Sequence, residues 1–172
     1  HDYHLFFTNK GRVYKIKGYE IPDLGRTAKG LPIVNLLNFD KDETLASFTS
    51  IKDFECEESY LFFTTKNGIV KRTPVTDFQN IRTNGIIAIA LKEGDELLAV
   101  GVTNGQKDII LGSVSGKSIR FAESDVRPTG RNTSGVIGMR LEEDEYIVGG
   151  GVIPSNEHDI LVISEKGFGK RT

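Results

Sequence analysis

Three arginines, Arg26, Arg82 and Arg131, each stand three or four residues ahead of a glycine, at Gly30, Gly85 and Gly135. Thr27, Thr83, Asn84, Asn132, Thr133 and Ser134 fill the intervals. A guanidinium, short hydroxyl or amide side chains, and a backbone N–H left open by glycine together suit phosphate oxygens. Contacts of this kind grip a polyanion's backbone and carry little sequence information. A second basic series clusters around another set of glycines: Lys10, Arg12, Lys15 and Lys17, then Lys66, Lys71 and Arg72, then Lys117 and Arg120, then Lys166, Lys170 and Arg171. Lys29 and Arg127 join the first series. Isolated lysines on exposed strands also serve solubility and protect sheet edges, so part of this set needs no ligand.

Other chemistry finds little support. The acidic pairs Asp42/Glu43, Asp95/Glu96 and Asp144/Glu145 recur in the same kind of segment, and an active site is not normally copied three times. They read as solvated turn residues that keep anions off that face. His1, His4 and His158 have no repeated relation to a nucleophile, and no HExxH, CxxC or P-loop pattern occurs. The lone Cys56 has no internal disulfide partner, which suits a reducing compartment, and its neighbours Glu55 and Glu57 do not favour a thiolate. The sequence therefore names no catalytic residue, no metal ligand and no cofactor site.

The elements that carry the basic residues repeat. A hydrophobic strand, a turn and a basic strand are written around Gly11, Gly68, Gly116 and Gly167. A period of about fifty residues with several short strands per unit is the signature of propeller blades or related arrays. Apolar runs of four to eight residues, rich in Val, Ile, Phe and Tyr and bounded by Gly, Asn, Asp and Thr, predict strands throughout. Each unit parses into four: a hairpin such as 61–64 with 69–72, a strand after the second glycine, an acidic turn, and a last apolar strand such as 97–102 or 146–152. The chain reads as one domain of approximate units 1–58, 59–106, 107–157 and an incomplete 158–172. Neighbouring units must stack to bury both faces of such small sheets.

The 172 residues carry a net charge of -2, with 38% hydrophobic and 27% charged residues. No apolar run is long enough for a membrane helix. The near-neutral total hides a pattern, since basic segments 9–30, 66–85 and 117–140 alternate with acidic segments 38–58, 92–108 and 142–159. Alternation in phase with the repeat predicts a two-sided molecule with one basic rim.

The runs Gly11-Arg12-Val13-Tyr14, Arg26-Thr27-Ala28-Lys29-Gly30, Pro32-Ile33-Val34-Asn35-Leu36-Leu37 and Gly167-Phe168-Gly169-Lys170-Arg171-Thr172 resemble the C-terminal domain of bacterial DNA gyrase A. The likeness extends over essentially the whole chain. It implies an all-β pinwheel, a propeller-like ring of four-stranded blades that exchange strands, present here as an arc of about three to four blades. It also implies an accessory DNA-binding role in an ATP-dependent type IIA topoisomerase: the rim wraps duplex DNA and supports negative supercoiling, with no catalysis of its own. ATP and Mg would act through other domains, as would the DNA-cleaving tyrosine, and Tyr3, Tyr14, Tyr19, Tyr60 and Tyr146 lack the basic surroundings for that role. The implied partners are duplex DNA, the rest of gyrase A and, through it, gyrase B, in the nucleoid-associated bacterial cytoplasm and not at a membrane. The family's basic heptapeptide Gln-Arg-Arg-Gly-Gly-Lys-Gly is absent and is expected just ahead of His1. Both ends read as cuts through a larger ring, with about two further blades and an acidic tail missing. Alternative readings are the equivalent domain of topoisomerase IV or a propeller-type protein-interaction scaffold. A repeat-containing enzyme is the weakest reading.

Overall fold

The computed structural model describes residues 2–21, 35–154, 159–163 and 165–171. Arg26, Lys29 and Gly30 lie outside the described residues, as do His1, His158 and Thr172. The chain is all-β. Its strands are β1 (Tyr3–Thr8), β2 (Arg12–Lys17), β3 (Leu45–Ile51), β4 (Tyr60–Thr65), β5 (Ile69–Pro74), β6 (Ile86–Ile87) and β7 (Leu97–Thr103). They continue with β8 (Asp108–Ser113), β9 (Ser118–Ala122), β10 (Val136–Ile137), β11 (Ile147–Ile153), β12 (Leu161–Ile163) and β13 (Gly169–Arg171). The first sheet runs β3-β1-β2-β6, the second β10-β5-β4-β7, the third β11-β8-β9, and β12 pairs with β13.

The third strand predicted for the second and third units does not stay with its own sheet, and that of the first unit lies outside the described residues. β6, which follows Gly85, pairs with β2 of the preceding sheet in the register Arg12↔Ile87 and Val13↔Ile86. β10, which follows Gly135, pairs in the same way with β5, Val136↔Val70 and Ile137↔Ile69. Each exchange is fastened at a hairpin tip. The Gly11 carbonyl accepts N–H bonds from Ala88 (2.8 Å) and Ile89 (3.2 Å), and the Gly68 carbonyl accepts them from Gly138 (2.8 Å) and Met139 (3.2 Å). One residue type fits this place. Gly68 has φ +82°, and a Cβ there would lie 2.5 Å from the Met139 carbonyl oxygen. At Gly11, with φ +79°, a Cβ would lie 2.6 Å from the Ile89 carbonyl oxygen.

The apolar runs are continuous because both faces of the inner strands are covered. Leu5 and Phe7 of β1 join Leu61 and Phe63 of β4 in one core between the first two sheets, with Phe7 and Phe63 meeting edge to face at 5.6 Å. Phe62 points to the other side, where it packs with Val70, Ile109, Leu111, Met139 and Ile147. Phe6, Tyr14, Ile16 and Leu37 form a third cluster on the outer face of the first sheet. Burying each of these side chains contributes about 1.5–3 kcal/mol.

The acidic turns are not simply solvated. Their repeating member is Glu43, Asp95 and Glu145, one per turn, each closing it through N–H bonds to Asp40, Lys92 and Glu142 carbonyls respectively. Glu43 is buried and accepts bonds from Thr8 Oγ1 (3.1 Å), Tyr14 OH (2.9 Å) and Asp40 N (2.8 Å). Burial and this carboxylate push the Tyr14 hydroxyl up to about 12. Asp95, also buried, accepts the N–H groups of Asn67 and Glu96. Glu145 accepts the Glu142 N–H, which together with the Ser115 hydroxyl and Lys117 holds its carboxyl below the usual range. These are caps that tie the last strand of a unit to its hairpin.

Two of the predicted surface cations are interior. Lys71 lies opposite Phe63 on β5 and is 1% exposed. Its ammonium donates to the carbonyls of Ala88 (2.5 Å), Arg131 (2.8 Å), Gly130 (3.2 Å) and, more weakly, Thr133 (3.4 Å). Desolvating an ion costs several kcal/mol, whereas hydrogen bonds to a charged group contribute about 1.5–3 kcal/mol each. The carbonyls thus offset much of the cost without a carboxylate, and burial, helped by the nearby Arg131, pushes Lys71 down to about 7. Arg72 is also buried, with Nε on the Val126 carbonyl (2.9 Å), a terminal nitrogen 3.5 Å from the buried Glu123, and its guanidinium over the Tyr60 ring. Both side chains bridge β5 to the loop of the next repeat, which removes them from any rim.

Two outcomes follow from these contacts. Gly68→Ala should lose the left-handed backbone, at about 1–2 kcal/mol, and also displace Met139. Gly116 has φ +84° but nothing within 4 Å of its Cβ position, so Gly116→Ala should cost the backbone term alone. Equal losses in chemical denaturation of the two variants would contradict the exchange contact. For Lys71, the unfolded chain holds one more proton than the folded one between about 7 and 10.5. Stability of the natural protein should therefore rise with pH across that window relative to Lys71→Met. Denaturation curves that stay parallel across it would show that Lys71 is not depressed.

Candidate nucleic-acid interface

Lys15 begins the site. It sits half-buried on β2, with its ammonium over the rings of both Tyr3 and Phe54 at 5.4 Å from each centroid. Its ammonium donates to the Gln79 carbonyl at 2.7 Å. Partial burial, with Lys17 nearby, lowers its proton affinity. Beyond Gln79 the chain runs through Asn80, Ile81 and Arg82 to the turn closed by the Gly85 N–H on the Arg82 carbonyl (2.9 Å). The corresponding loop of the third repeat brings Arg131 alongside. Lys15, Gln79, Asn80, Ile81, Arg82, Ile86 and Arg131 line one open groove of about 580 Å³.

Among the described residues no carboxylate lines this groove, and Lys15, Arg82 and Arg131 are in no ion pair with a described carboxylate. Three cations and two amide side chains on a concave surface make an environment for phosphate oxygens. Arg82 is exposed and Arg131 half-buried, so the first can swing to a ligand while the second is largely preplaced. Two of the three recurring arginines are thus brought together, and Arg26 lies outside the described residues.

The remaining predicted cations are scattered. Lys10 is exposed at the first hairpin tip, Arg127 on the third-repeat loop, and Lys166 and Lys170 on the last hairpin. Lys17 is exposed beside Tyr19, and Lys66 covers the Tyr146 ring at 5.0 Å. Arg12 pairs with Asp40 (3.0 Å) and donates to the Asn84 carbonyl, Lys117 pairs with Glu142 (3.2 Å) and Glu145 (3.5 Å), Arg120 with Asp108 (2.6 Å), and Arg171 with Asp159 (3.1 Å). A phosphate reaching these side chains meets a competing carboxylate. Gln79 and Asn80 are groove residues that the sequence pattern does not pick out, because their only signal is proximity to Arg82.

Among the described residues no group of three or more His, Cys, Asp or Glu could hold a metal ion. No helix is long and apolar enough to cross a membrane.

Comparison with known proteins agrees with this architecture. A family profile described as the DNA gyrase C-terminal domain, beta-propeller, matches residues 2–52, 59–104, 107–154 and 158–172. DNA gyrase A of Staphylococcus epidermidis (strain ATCC 12228) is 51% identical over the whole chain, and that of Staphylococcus aureus (strain NCTC 8325) is 49% identical. The chain spans 19% and 20% of those two proteins. Among solved structures, the C-terminal domain of DNA topoisomerase IV superposes with a TM-score of 0.91 at 34% identity, covering 99% of this chain and 53% of that one. A DNA gyrase A C-terminal domain superposes with a TM-score of 0.80 at 33% identity, covering 99% of this chain and 54% of that one. With its strand-exchanged sheets and repeat-spanning match, the chain belongs to the DNA gyrase C-terminal domain family.

Proposed function

We propose that this chain binds duplex DNA without sequence preference and bends it, as the accessory DNA-wrapping part of a gyrase. The observation that carries the reading is the groove in which Lys15, Arg82 and Arg131 converge from three successive repeats with no carboxylate among the described residues of its walls. Family membership supports the same role. The chain contributes positioning and charge. Strand cleavage, ATP and Mg belong to other parts of the enzyme, in gyrase A and gyrase B, within the bacterial cytoplasm and nucleoid. The equivalent part of a topoisomerase IV is the nearest alternative, favoured by the superposition at TM-score 0.91.

The mechanism is electrostatic. Each neutralised phosphate releases condensed counterions, so log K falls linearly with log salt at about 0.9 per contact. Bending a site of 20–30 bp by 40–90° costs on the order of 1–6 kcal/mol, so contacts on successive repeats must act together. Non-specific association of this kind has a Kd of roughly 10⁻⁴ to 10⁻⁶ M at physiological salt.

Salt titration of binding to a blunt duplex of mixed sequence tests the reading. The combined Arg82→Ala and Arg131→Ala protein should show a slope shallower by about 1.8, two contacts' worth. An unchanged slope would take both residues off the binding surface, and no binding at low salt would favour a protein-interaction scaffold. Bending is read separately, by relaxing a plasmid with an added topoisomerase while this chain is bound and then removing protein. A shift in linking number is expected, and its absence would reduce the role to binding.

A further inference from the structure

We propose that Lys71 is a positioning residue for anion contact: by gathering the carbonyls of Gly130 and Arg131 onto one buried ammonium, it fixes the loop that presents Arg131 to the groove. The inference rests on the groove being the phosphate-binding surface. Lys71 reaches this loop from β5, in the preceding repeat, at 3.2 Å from the Gly130 oxygen and 2.8 Å from the Arg131 oxygen. Its third strong bond, to Ala88, ties the same point to the segment following β6. One charge therefore binds the second-repeat strand that carries Ile86, a groove residue, to the third-repeat loop that carries Arg131.

Peptide geometry gives the staple a direction. The described peptide units are trans, so in each of them C=O and N–H point opposite ways. Carbonyls 130 and 131 aimed at Lys71 leave the N–H groups of Arg131 and Asn132 facing away from it. No described group accepts either N–H. Successive outward N–H groups beside a guanidinium form the kind of concavity that holds an anion. The Thr133 hydroxyl adds a bond to the Gly130 carbonyl at 2.7 Å, which closes the turn from its other end. Lys71 and Arg131 also repel, since the guanidinium depresses the Lys71 proton affinity, and repulsion favours the outward placement of the side chain.

The arrangement is particular to this place. The equivalent position is Tyr14 in the first repeat, where a hydroxyl meets Glu43 and the Asn38 carbonyl, Ile119 in the third, which is 38% exposed, and in the fourth Lys170, which is a lysine too but exposed. A lysine here is thus not a requirement of the fold. It matches the one loop whose carbonyls it collects.

The test is a double-mutant cycle on duplex DNA binding with the full 172-residue chain, comparing Lys71→Met, Arg131→Ala and the double variant by salt slope. Thermal unfolding of each confirms that the proteins compared are folded. Arg131→Ala should lower the slope by about 0.9, one phosphate contact. Lys71→Met should lower it by the same amount, and the double variant by no more than either. A slope unchanged by Lys71→Met, or additive losses, would overturn the positioning role while leaving the groove in place. A slope unchanged by Arg131→Ala would overturn both that role and the assignment of Arg131 to the groove, whereas the Arg82→Ala response would still report on the groove itself. Should Lys71→Met fail to fold, Lys71→Gln keeps an N–H donor without charge. In that background a diminished Arg131 contribution supports the proposal, and an undiminished one overturns it.

Discussion

A carbonyl oxygen that must accept two N–H groups from the next repeat governs this molecule. At Gly11 and Gly68 the acceptor sits at the tip of a hairpin whose own turn demands a positive φ, and the incoming strand passes where a Cβ would stand. Turn geometry and strand exchange therefore make the same demand of one residue. The last strand of each unit docks there too, with Leu97 N–H on the Asn9 carbonyl and Ile147 N–H on the Lys66 carbonyl. A unit cannot complete its sheet alone, so its stability is set by its neighbour, as in other quasi-one-dimensional arrays.

The exchange also explains where the positive charge goes. A strand that crosses to another sheet brings a loop whose carbonyls have no ladder partners and are left to side-chain donors. Lys15 meets Gln79, Arg12 meets Asn84, Lys71 meets Ala88, Gly130 and Arg131, and Arg72 meets Val126. Long cationic side chains suit this work because each offers several donors at the end of an apolar stem. The basic character of the second hairpin strand is thus partly structural. What remains for a ligand is the set of cations that these contacts push to the margin.

The strands, the hairpin glycines and the acidic turns are legible in the sequence because each is a local rule: an apolar run, a positive φ, a fixed short loop. The pairing partner of Ile86–Ile87 is not readable from its own residues, since two apolar residues after a glycine fit any open edge; only family resemblance implies exchange. Lys71 is misleading for a related reason. Alternation along β5 puts it on the face of Phe63, but a lysine beside Arg72 reads as a surface pair until the carbonyls of the third repeat are in view. Adjacent acids misalign the acidic turns by one position, pairing Asp95 with Glu96 when the turn length aligns Asp95 with Glu43 and Glu145. The groove itself joins residues from three repeats, and no window along the chain contains it.

Charge count alone would rank the hairpin cations equal to those of the groove, and the energetics do not. Exposed ion pairs such as Arg120 with Asp108 or Arg171 with Asp159 stabilise by only about 0–1 kcal/mol, so a phosphate can displace the carboxylate, but its net gain is reduced by what is displaced. Among the described residues Lys15, Arg82 and Arg131 face no such competitor, and two of them are partly held in place before any ligand arrives. Preplacement matters more as the number of simultaneous contacts grows, because each loose side chain must be ordered anew. For the proposed role of holding a stiff duplex in a curve, few well-fixed contacts at a regular spacing serve better than many mobile ones, and a repeat whose neighbours are locked through glycine carbonyls would provide that spacing.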